Sequence, residues 1–305
     1  MHRLSLTALL TFALAACGGD DGAAPVDGGL DAPPGSAREV IGTIDVHEQR
    51  YLWLDDGTPM ESASANVRAA FYDGHPPSFH REVARAGACV LRRYTPASCE
   101  PFCDGICVDT NVCEPWPTLV AAGRLSIDGL AVALRMPGTD GFYYPDAQLP
   151  AELFADGATI TASLAGGGGI PASTLSTTGV APLTGALPDT TLTLVPGQDA
   201  IVRWTPAAGD ARVKLTINAN NQGHGQPYLA IIECDAADAA GAITVPSSMI
   251  DAFPETRAWT ICAGTDCPPS TLRRYRRATV AVGAQDLELV VASELAFGVD
   301  HILPD

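Results

Sequence analysis

The sequence has few aromatic residues, almost no lysine and no helical periodicity. Aromatic residues make up 6% of the 305 residues, and Lys214 is the single lysine against seventeen arginines. No stretch of ten or more residues repeats apolar side chains at a helical spacing, and residues 247–253 predict one turn of helix at most. Valine, isoleucine, leucine and alanine are nevertheless abundant enough to fill cores, so these absences argue against a helical fold and not against folding.

Motifs of common catalytic centres are also missing. There is no G-x-S-x-G nucleophile elbow and no C-x-x-C redox pair. The stretch HEQRY at 47–51 lacks the second histidine of an H-E-x-x-H zinc helix. GGGG at 166–169 has no lysine and no helix after it, which argues against a phosphate-binding loop. We therefore expect no catalytic residues, although an enzyme of unknown class stays open as a third hypothesis.

Positive charge is scarce as well. Thirty-five acidic residues against eighteen basic ones give a net charge of −17. Such a charge repels nucleic acids and anionic lipid surfaces, so we exclude nucleic acid as a partner.

The N-terminus predicts export and a lipid anchor. His2 and Arg3 precede an apolar run, 4–13, that is too short to span a bilayer. The sequence Leu-Ala-Ala-Cys that ends at Cys17 resembles the bacterial lipobox, and this resemblance implies that residues 1–16 are a signal peptide and that Cys17 is lipidated. Because Gly18 follows and not aspartate, the resemblance also implies an outer-membrane location. Residues 17–37 hold six Gly, three Pro and four Asp, and they predict a disordered acidic tether.

Most of the remaining chain predicts an all-β fold. Short runs with period-two or β-branched character recur between Gly and Pro turns from 40–49 to 287–294. This pattern is typical of β-sandwiches. The Pro- and Gly-rich stretch 180–189 predicts a boundary between two sandwich domains, 38–185 and 186–305, and the first contains a Cys-rich insert, 89–117.

The second half resembles a fibronectin type III or related immunoglobulin-like domain over about residues 190–300. In that fold a strand ends in Trp-x-Pro, and here Trp204 and Pro206 occupy those positions. Pro254 and Thr256 are similar to the fold's Pro-x-Thr-x-Tyr corner, with Trp259 standing one place after the tyrosine position. The resemblance implies a spacer or a binding platform and no particular reaction.

The whole layout resembles a group of exported lipoproteins from predatory and soil-dwelling bacteria. The stretches that carry this resemblance are CEPFCDGICVDTNVC, AGRLSIDGL and LFADGATITASLAGGGGIPA. It implies an architecture and no activity.

Eight cysteines remain after Cys17, and their spacing predicts disulfides. Outside the cytoplasm, an even set at close spacing is typical of a disulfide framework. A zinc site is the alternative, but the first five are spaced C-x9-C-x3-C-x3-C-x5-C with no histidine between them, so we expect no metal. Because the first group has five members and the second has three, complete pairing requires a bridge between the two halves, which we predict; otherwise each half keeps one unpaired thiol. The eight are Cys89, Cys99, Cys103, Cys107, Cys113, Cys234, Cys262 and Cys267.

One basic patch and two tryptophans are the candidate ligand contacts. Arg273, Arg274, Arg276 and Arg277 flank Tyr275, and strand alternation puts Arg274 and Arg276 on one face and the other three on the opposite face. An acidic glycan or a lipopolysaccharide phosphate would suit them. The alternative is an edge strand that charge protects from pairing.

Trp53 and Trp116 flank turns and are candidate stacking platforms for sugars, as is the pair Tyr143-Tyr144. Carboxylates on the turns LDDGT, GTDG and CDAAD leave Ca²⁺ as an alternative, although they lack the ligand spacing of a dedicated site. We expect no other cofactor.

Three hypotheses follow from these observations. The first is a lipid-anchored, non-catalytic structural or binding module of the cell envelope, whose partner is an envelope protein or a glycan. The second is an accessory lipoprotein that binds glycan or lipopolysaccharide. The third is the enzyme of unknown class.

Overall fold

The structure is a computed structural model that describes most of the chain after the predicted tether. Cys17, the signal peptide and the tether lie outside the described residues, as do Cys262, Cys267 and Trp259. The described residues are 38–56, 58–95, 97–138, 141–187, 190–218, 229–256 and 270–303.

The regular secondary structure of the described residues is almost entirely strand, which confirms the predicted all-β class. A 3₁₀ turn at Asp238–Ala240 and one short helix, α1 (Ser247–Asp251), complete it. No helix in these ranges is long and apolar enough to cross a membrane. The strands are β1 (Val40–Asp55), β2 (Thr58–Phe71), β3 (His80–Ala86), β4 (Cys89–Tyr94), β5 (Ile106–Asp109), β6 (Val112–Glu114), β7 (Leu125–Asp128), β8 (Leu134–Met136), β9 (Phe142–Tyr143), β10 (Thr159–Leu164), β11 (Ser173–Thr178), β12 (Thr191–Leu194), β13 (Ala200–Arg203), β14 (Arg212–Asn218), β15 (Ala230–Ala237), β16 (Ala242–Val245), β17 (Ser270–Val282) and β18 (Gln285–His301).

A ten-stranded sheet organises the fold. Its strand order is β3-β4-β15-β14-β17-β18-β1-β2-β9, and β12 also pairs with β18. β18 runs parallel to β1 and to β12, whereas its other neighbour, β17, is antiparallel. A four-stranded sheet, β11-β10-β7-β8, and the pair β13-β16 are separate from it.

The large sheet runs across the predicted domain boundary. β4 from the first half pairs with β15 from the second, and β1 pairs with β18 over most of its length. Residues 38–305 form one compact unit. The division into 38–185 and 186–305 therefore does not match the sheets, because separating those halves would expose the backbone donors and acceptors of four strands that satisfy each other.

Two hydrophobic cores do exist, and both lie on the same face of the large sheet. Every odd-numbered residue of β18 from Leu287 to Val299 is buried, and odd positions of a strand share one face. Leu287, Leu289 and Val291 belong to core I, with β7 and β10, whereas Leu295 and Phe297 belong to core II, with β13 and β16. The long β17-β18 hairpin thus serves both cores.

Cys89 and Cys234 form a buried disulfide between neighbouring strands. The two residues are directly opposite each other on β4 and β15, with a sequence separation of 145 and 4.0 Å between their Cα atoms. The predicted bridge between the two halves is confirmed. Its location differs from the expectation of a link between two separate sandwiches, because it crosses a strand pair inside one sheet.

The other two described disulfides close the Cys-rich insert. Cys99 pairs with Cys107 and Cys103 with Cys113, so the two loops cross each other, and the second bridge ties down the short β5-β6 hairpin. Disulfides of this number indicate an oxidising, extracytoplasmic location. Disulfide formation is confirmed for six of the eight predicted cysteines, and the other two lie outside the described residues.

Trp204, the tryptophan of the Trp-x-Pro sequence, fills core II. It follows β13 directly, is buried, and donates a hydrogen bond from Nε1 to the Asp238 carbonyl at 2.9 Å. The assignment to the fibronectin type III or related immunoglobulin-like fold stays a prediction.

Candidate binding groove

The basic stretch 273–277 lies on β17, an interior strand between β14 and β18. The alternative of a charge-protected edge strand is therefore wrong. The predicted alternation is confirmed by the register: Arg274 pairs with Ser293 and Arg276 with Val291, which are buried positions on the core face of β18. The arginines of this stretch consequently have two different environments.

Arg274 is a buried residue at the junction of the two cores. Only 1% of its side chain is exposed. Its Nε donates to Oδ1 of the equally buried Asp238 at 3.0 Å. Its other nitrogens donate to the carbonyls of Ala181, Pro182 and Thr205 at 2.6–3.0 Å. A ligand in solvent does not reach this guanidinium.

Arg276 lies nearer to the surface and binds the backbone just before the segment that Arg274 contacts. Its Nη1 donates to the Gly179 carbonyl at 2.5 Å and its Nε donates to Asp210 Oδ1 at 3.0 Å. Together with Arg274 it fastens the segment 179–182, which begins the stretch predicted as a domain boundary, to the large sheet. Arg273, Tyr275 and Arg277 are left as the ligand candidates of this stretch.

These three residues line a groove on the opposite face of the large sheet. The groove has a volume of about 880 Å³. A register row, meaning a set of residues in register on adjacent strands, crosses the floor of the groove. In this row Arg68 on β2 pairs with Asp45 on β1, Asp45 pairs with Val290 on β18, and Val290 pairs with Arg277 on β17. The groove therefore collects side chains from sequence positions more than two hundred residues apart.

Asp45 is the electrostatic centre of the groove. It is buried, and its carboxylate accepts a hydrogen bond from Arg273, contacts His47 Nδ1 at 3.1 Å and lies 3.5 Å from Arg68 Nε. Burial alone would raise the pKa of the Asp45 carboxyl, but the His47 hydrogen bond and the Arg273 charge together hold the pKa well below its usual range. Asp45 is thus ionised at neutral pH, and its charge is matched by its neighbours.

Tyr275 lies on the side of the groove nearer to β14 and β15. Its hydroxyl donates to Asp235 Oδ2 at 2.6 Å, and Arg212 Nε donates to the other oxygen of that carboxylate at 2.8 Å. Burial, followed by the bond to Asp235, raises the pKa of Tyr275 to about 12. The hydroxyl therefore stays protonated at neutral pH.

A further ion pair extends this polar face toward β4. Lys214 contacts Glu233 on β15, and Arg92 Nε donates to the same carboxylate at 3.0 Å. Burial would raise the pKa of Glu233, but the charge of Lys214 and its hydrogen bond lower it on balance. The single lysine of the chain is thus held in an ion pair at the groove.

Aromatic residues form the opposite wall, at the edge strand β9. Phe142 is 52% exposed and Tyr144 is 68% exposed, and both line the groove. Between them Tyr143 points into core I, where its hydroxyl donates to the Gly123 carbonyl at 2.7 Å and its ring meets Phe71 edge-on at 5.3 Å. The buried ring of Tyr143 anchors the two exposed rings beside it.

Gly138 allows this arrangement. A Cβ atom at that position would lie 1.9 Å from the Tyr143 ring, and the backbone there has a φ of +63°. A side chain at residue 138 would therefore displace Tyr143 and the aromatic wall with it.

One of the two predicted tryptophan platforms, Trp116, does not line the groove. Trp53 pairs with Met60 in the β1-β2 hairpin, and its side chain lies outside the described structure. Trp116, 58% exposed, lies in the loop after β6 and packs against Phe79 with ring centroids 6.1 Å apart. Of the predicted aromatic candidates whose side chains the structure describes, Tyr143, Tyr144 and Tyr275 line the groove.

Sequence reasoning missed Asp45, Arg68 and Phe142. The alternation of Asp45, His47 and Gln49 in β1 is a signal for one polar strand face. It does not reveal the partners, which come from the other end of the chain. Across the described ranges, no three His, Cys, Asp or Glu side chains come together in a group that could hold a metal ion; Asp140, one of the predicted turn carboxylates for Ca²⁺, lies outside those ranges.

We compared the sequence with models of known protein families and with curated proteins, and it matches none of them.

Proposed function

We propose that this protein is a lipid-anchored, non-catalytic binding module of the cell envelope, and that it binds a saccharide in the groove of the large sheet. The observation that carries the proposal is the pairing of two exposed aromatic rings, Phe142 and Tyr144, with a floor of fixed polar groups. The lipobox-like Cys17 and the tether supply the anchor.

The length of the tether is compatible with a role near the membrane. The compact unit begins at Arg38, which is 21 residues after Cys17. A chain of that length extends at most about 75 Å, at up to 3.6 Å per residue. The groove would then sample glycans close to the anchoring membrane. Cys17→Ser should move the protein from the membrane fraction to the soluble one and abolish labelling by a fatty-acid precursor; unchanged fractionation would contradict the anchor.

The electrostatics of the groove favour binding over acid–base catalysis. A general acid or base works best when its pKa is close to the working pH. The pKa of Asp45 is held far below neutrality, and that of Tyr275 is raised to about 12, so neither group exchanges a proton readily at neutral pH. Groups of this kind orient a ligand by hydrogen bonds without reacting with it.

The shape and lining of the groove favour a saccharide. Its volume of about 880 Å³ lies within the usual range of small-molecule sites, roughly 300–1,000 Å³. Sugars present an apolar C–H face, which stacks on aromatic rings, and hydroxyl groups, which need hydrogen-bond partners. Phe142 and Tyr144 supply rings for stacking. The hydrogen-bonding groups that line the groove include those of Asp235, Tyr275 and Thr43.

The test is saccharide binding by the full chain, in detergent, on a glycan array and then by calorimetry. Tyr144→Ala should weaken binding about fivefold, because one stacked ring contributes on the order of 1 kcal/mol. Trp116→Ala is the matched control, since it removes a comparably exposed ring outside the groove. Loss of binding with Trp116→Ala but not with Tyr144→Ala would place the site elsewhere. Absence of binding to every saccharide, or clear turnover of one, would overturn the proposal.

A further inference from the structure

We infer that the saccharide bound in the groove is anionic, and that Arg68 and Arg277 contact its carboxylate or phosphate groups. This inference rests on the proposed function and deepens it. The two residues are at opposite ends of the register row that crosses the groove floor through Asp45 and Val290.

The two guanidinium groups are spaced to bracket an extended ligand. They lie on β2 and β17, so three strand-to-strand intervals separate them, which places their Cα atoms roughly 14 Å apart at about 4.8 Å per interval. Both side chains are on the groove face, because residues in register share a face. A ligand lying across the strands would meet one guanidinium near each end.

Both guanidinium groups have free donor capacity. The side chain of Arg68 is 69% exposed and its closest carboxylate contact is 3.5 Å, with Asp45; that of Arg277 is 55% exposed and lies 4.0 Å from Glu288. These distances are beyond those of charge-assisted hydrogen bonds, which are about 2.7–2.9 Å. The remaining donors of each planar fork face solvent, where a bidentate contact to a carboxylate or phosphate is available.

Two of the three carboxylates of the groove do not cancel this attraction, because each is already matched, and the third, Glu288, accepts a hydrogen bond from Thr43 Oγ1 at 3.0 Å and lies 4.0 Å from Arg277. Asp45 accepts from Arg273 and contacts His47, so it remains neutralised when Arg68 turns toward a ligand. Asp235 is held by Arg212 and Tyr275. The lining as a whole has four cationic side chains and three carboxylates; the cations are Arg68, Lys214, Arg273 and Arg277.

The local charge of the groove is therefore opposite in sign to the charge of the whole protein, −17. At physiological ionic strength, charges further away than about 8 Å are largely screened. A ligand inside the groove consequently responds to the nearby arginines more than to the distant acidic residues. An exposed excess of positive charge in so acidic a chain points to an anionic group as the ligand.

The experiment compares matched oligosaccharides by calorimetry on the full chain. The probes are an oligouronate, the neutral oligosaccharide of the same length and linkage, and a lipopolysaccharide before and after dephosphorylation. Arg68→Gln and Arg277→Gln should each lower affinity for an anionic probe about tenfold, which corresponds to one charged hydrogen-bonding contact, and lower affinity for the neutral probe by a much smaller factor. Both residues are exposed, so the thermal unfolding midpoint should stay the same.

Arg135→Gln is the matched control. Arg135 is a half-exposed arginine that pairs with Asp128 on the small four-stranded sheet and does not line the groove, so its loss should not change affinity. Preference for the oligouronate supports a carboxylate source, and preference for the phosphorylated lipopolysaccharide supports a phosphate source. Equal affinity for neutral and anionic probes overturns the inference and leaves the proposed function standing, whereas absence of all binding overturns both. Selective anion binding that survives both substitutions also overturns it.

Discussion

Arg274→Met tests whether the junction between the two cores depends on one buried ion pair. The substitution keeps the apolar length of the side chain and removes five donors and a charge. Asp238 would then be a buried carboxylate without its cation, and the carbonyls of Ala181, Pro182 and Thr205 would lose their shared donor. Breaking one side of a buried, hydrogen-bonded pair costs about 3–5 kcal/mol, so we expect a loss of about 4 kcal/mol in the free energy of unfolding.

The assay is urea unfolding at neutral pH with the disulfides intact. With a slope of about 3 kcal/mol per molar urea, the midpoint should fall by about 1.3 M. Arg277→Met is the matched control: it lies three positions further along the same strand, is more than half exposed, and should change stability by no more than about 0.5 kcal/mol. Equal effects of the two substitutions would refute the reasoning.

A second variant separates the uncompensated charge from the lost hydrogen bonds. Adding Asp238→Asn to Arg274→Met removes the unpaired carboxylate and should recover about 1–2 kcal/mol, because a neutral buried amide costs less than a buried charge. No recovery would show that the carbonyls of the segment 181–182, and not the charge of Asp238, account for the loss.

Two further stability predictions follow from the described contacts. Cys89→Ala combined with Cys234→Ala should destabilise the protein by about 5 kcal/mol on the chain-entropy model. Removing the Cys99–Cys107 bridge, which has a sequence separation of 8, should cost about half of that. Equal losses in urea unfolding would contradict the loop-length argument. Asp45→Asn should cost about 2 kcal/mol at neutral pH, the value of a charged hydrogen bond. Because the folded pKa of Asp45 is depressed, its contribution is present above the ordinary value of 3.8 and is lost as the pH falls below it, so the stability difference from the unsubstituted protein should shrink in acid. Asp128→Asn, an exposed control, should show a difference near zero at every pH, and a pH-independent loss for Asp45→Asn would contradict the assigned cause.

Local patterns in the sequence were sufficient for several parts of the fold. Period-two alternation with Gly and Pro turns predicted an all-β chain, since a strand with one buried face requires that alternation. The same rule separated Arg274 and Arg276 from Arg273, Tyr275 and Arg277, and the structure confirms it. Counting the cysteines predicted a bridge between the halves, because an odd number cannot pair within one group.

The location of each strand in the sheet was not accessible in the same way. The stretch 273–277 was compatible with an edge strand because its charges could equally face solvent or each other, and only the pairing with β14 and β18 makes β17 interior. The Pro- and Gly-rich stretch at 180–189 was interpreted as a domain boundary, yet Arg274 binds its first residues to the sheet and Arg276 binds Gly179, the residue before it. Hydrogen bonds to backbone carbonyls leave no trace in the sequence of the residues that accept them.

The sequence by itself determined that this chain forms strands and that each half has an odd number of cysteines. It also determined the alternation that gives each strand a polar and an apolar face. Only the tertiary structure decided which faces meet. The groove exists because β1, β2, β17 and β18 are neighbours, so that Arg68, Asp45, Val290 and Arg277 share one row despite their separation in sequence. Local propensity acts over a few residues, whereas strand pairing satisfies backbone hydrogen bonds between segments at any sequence distance.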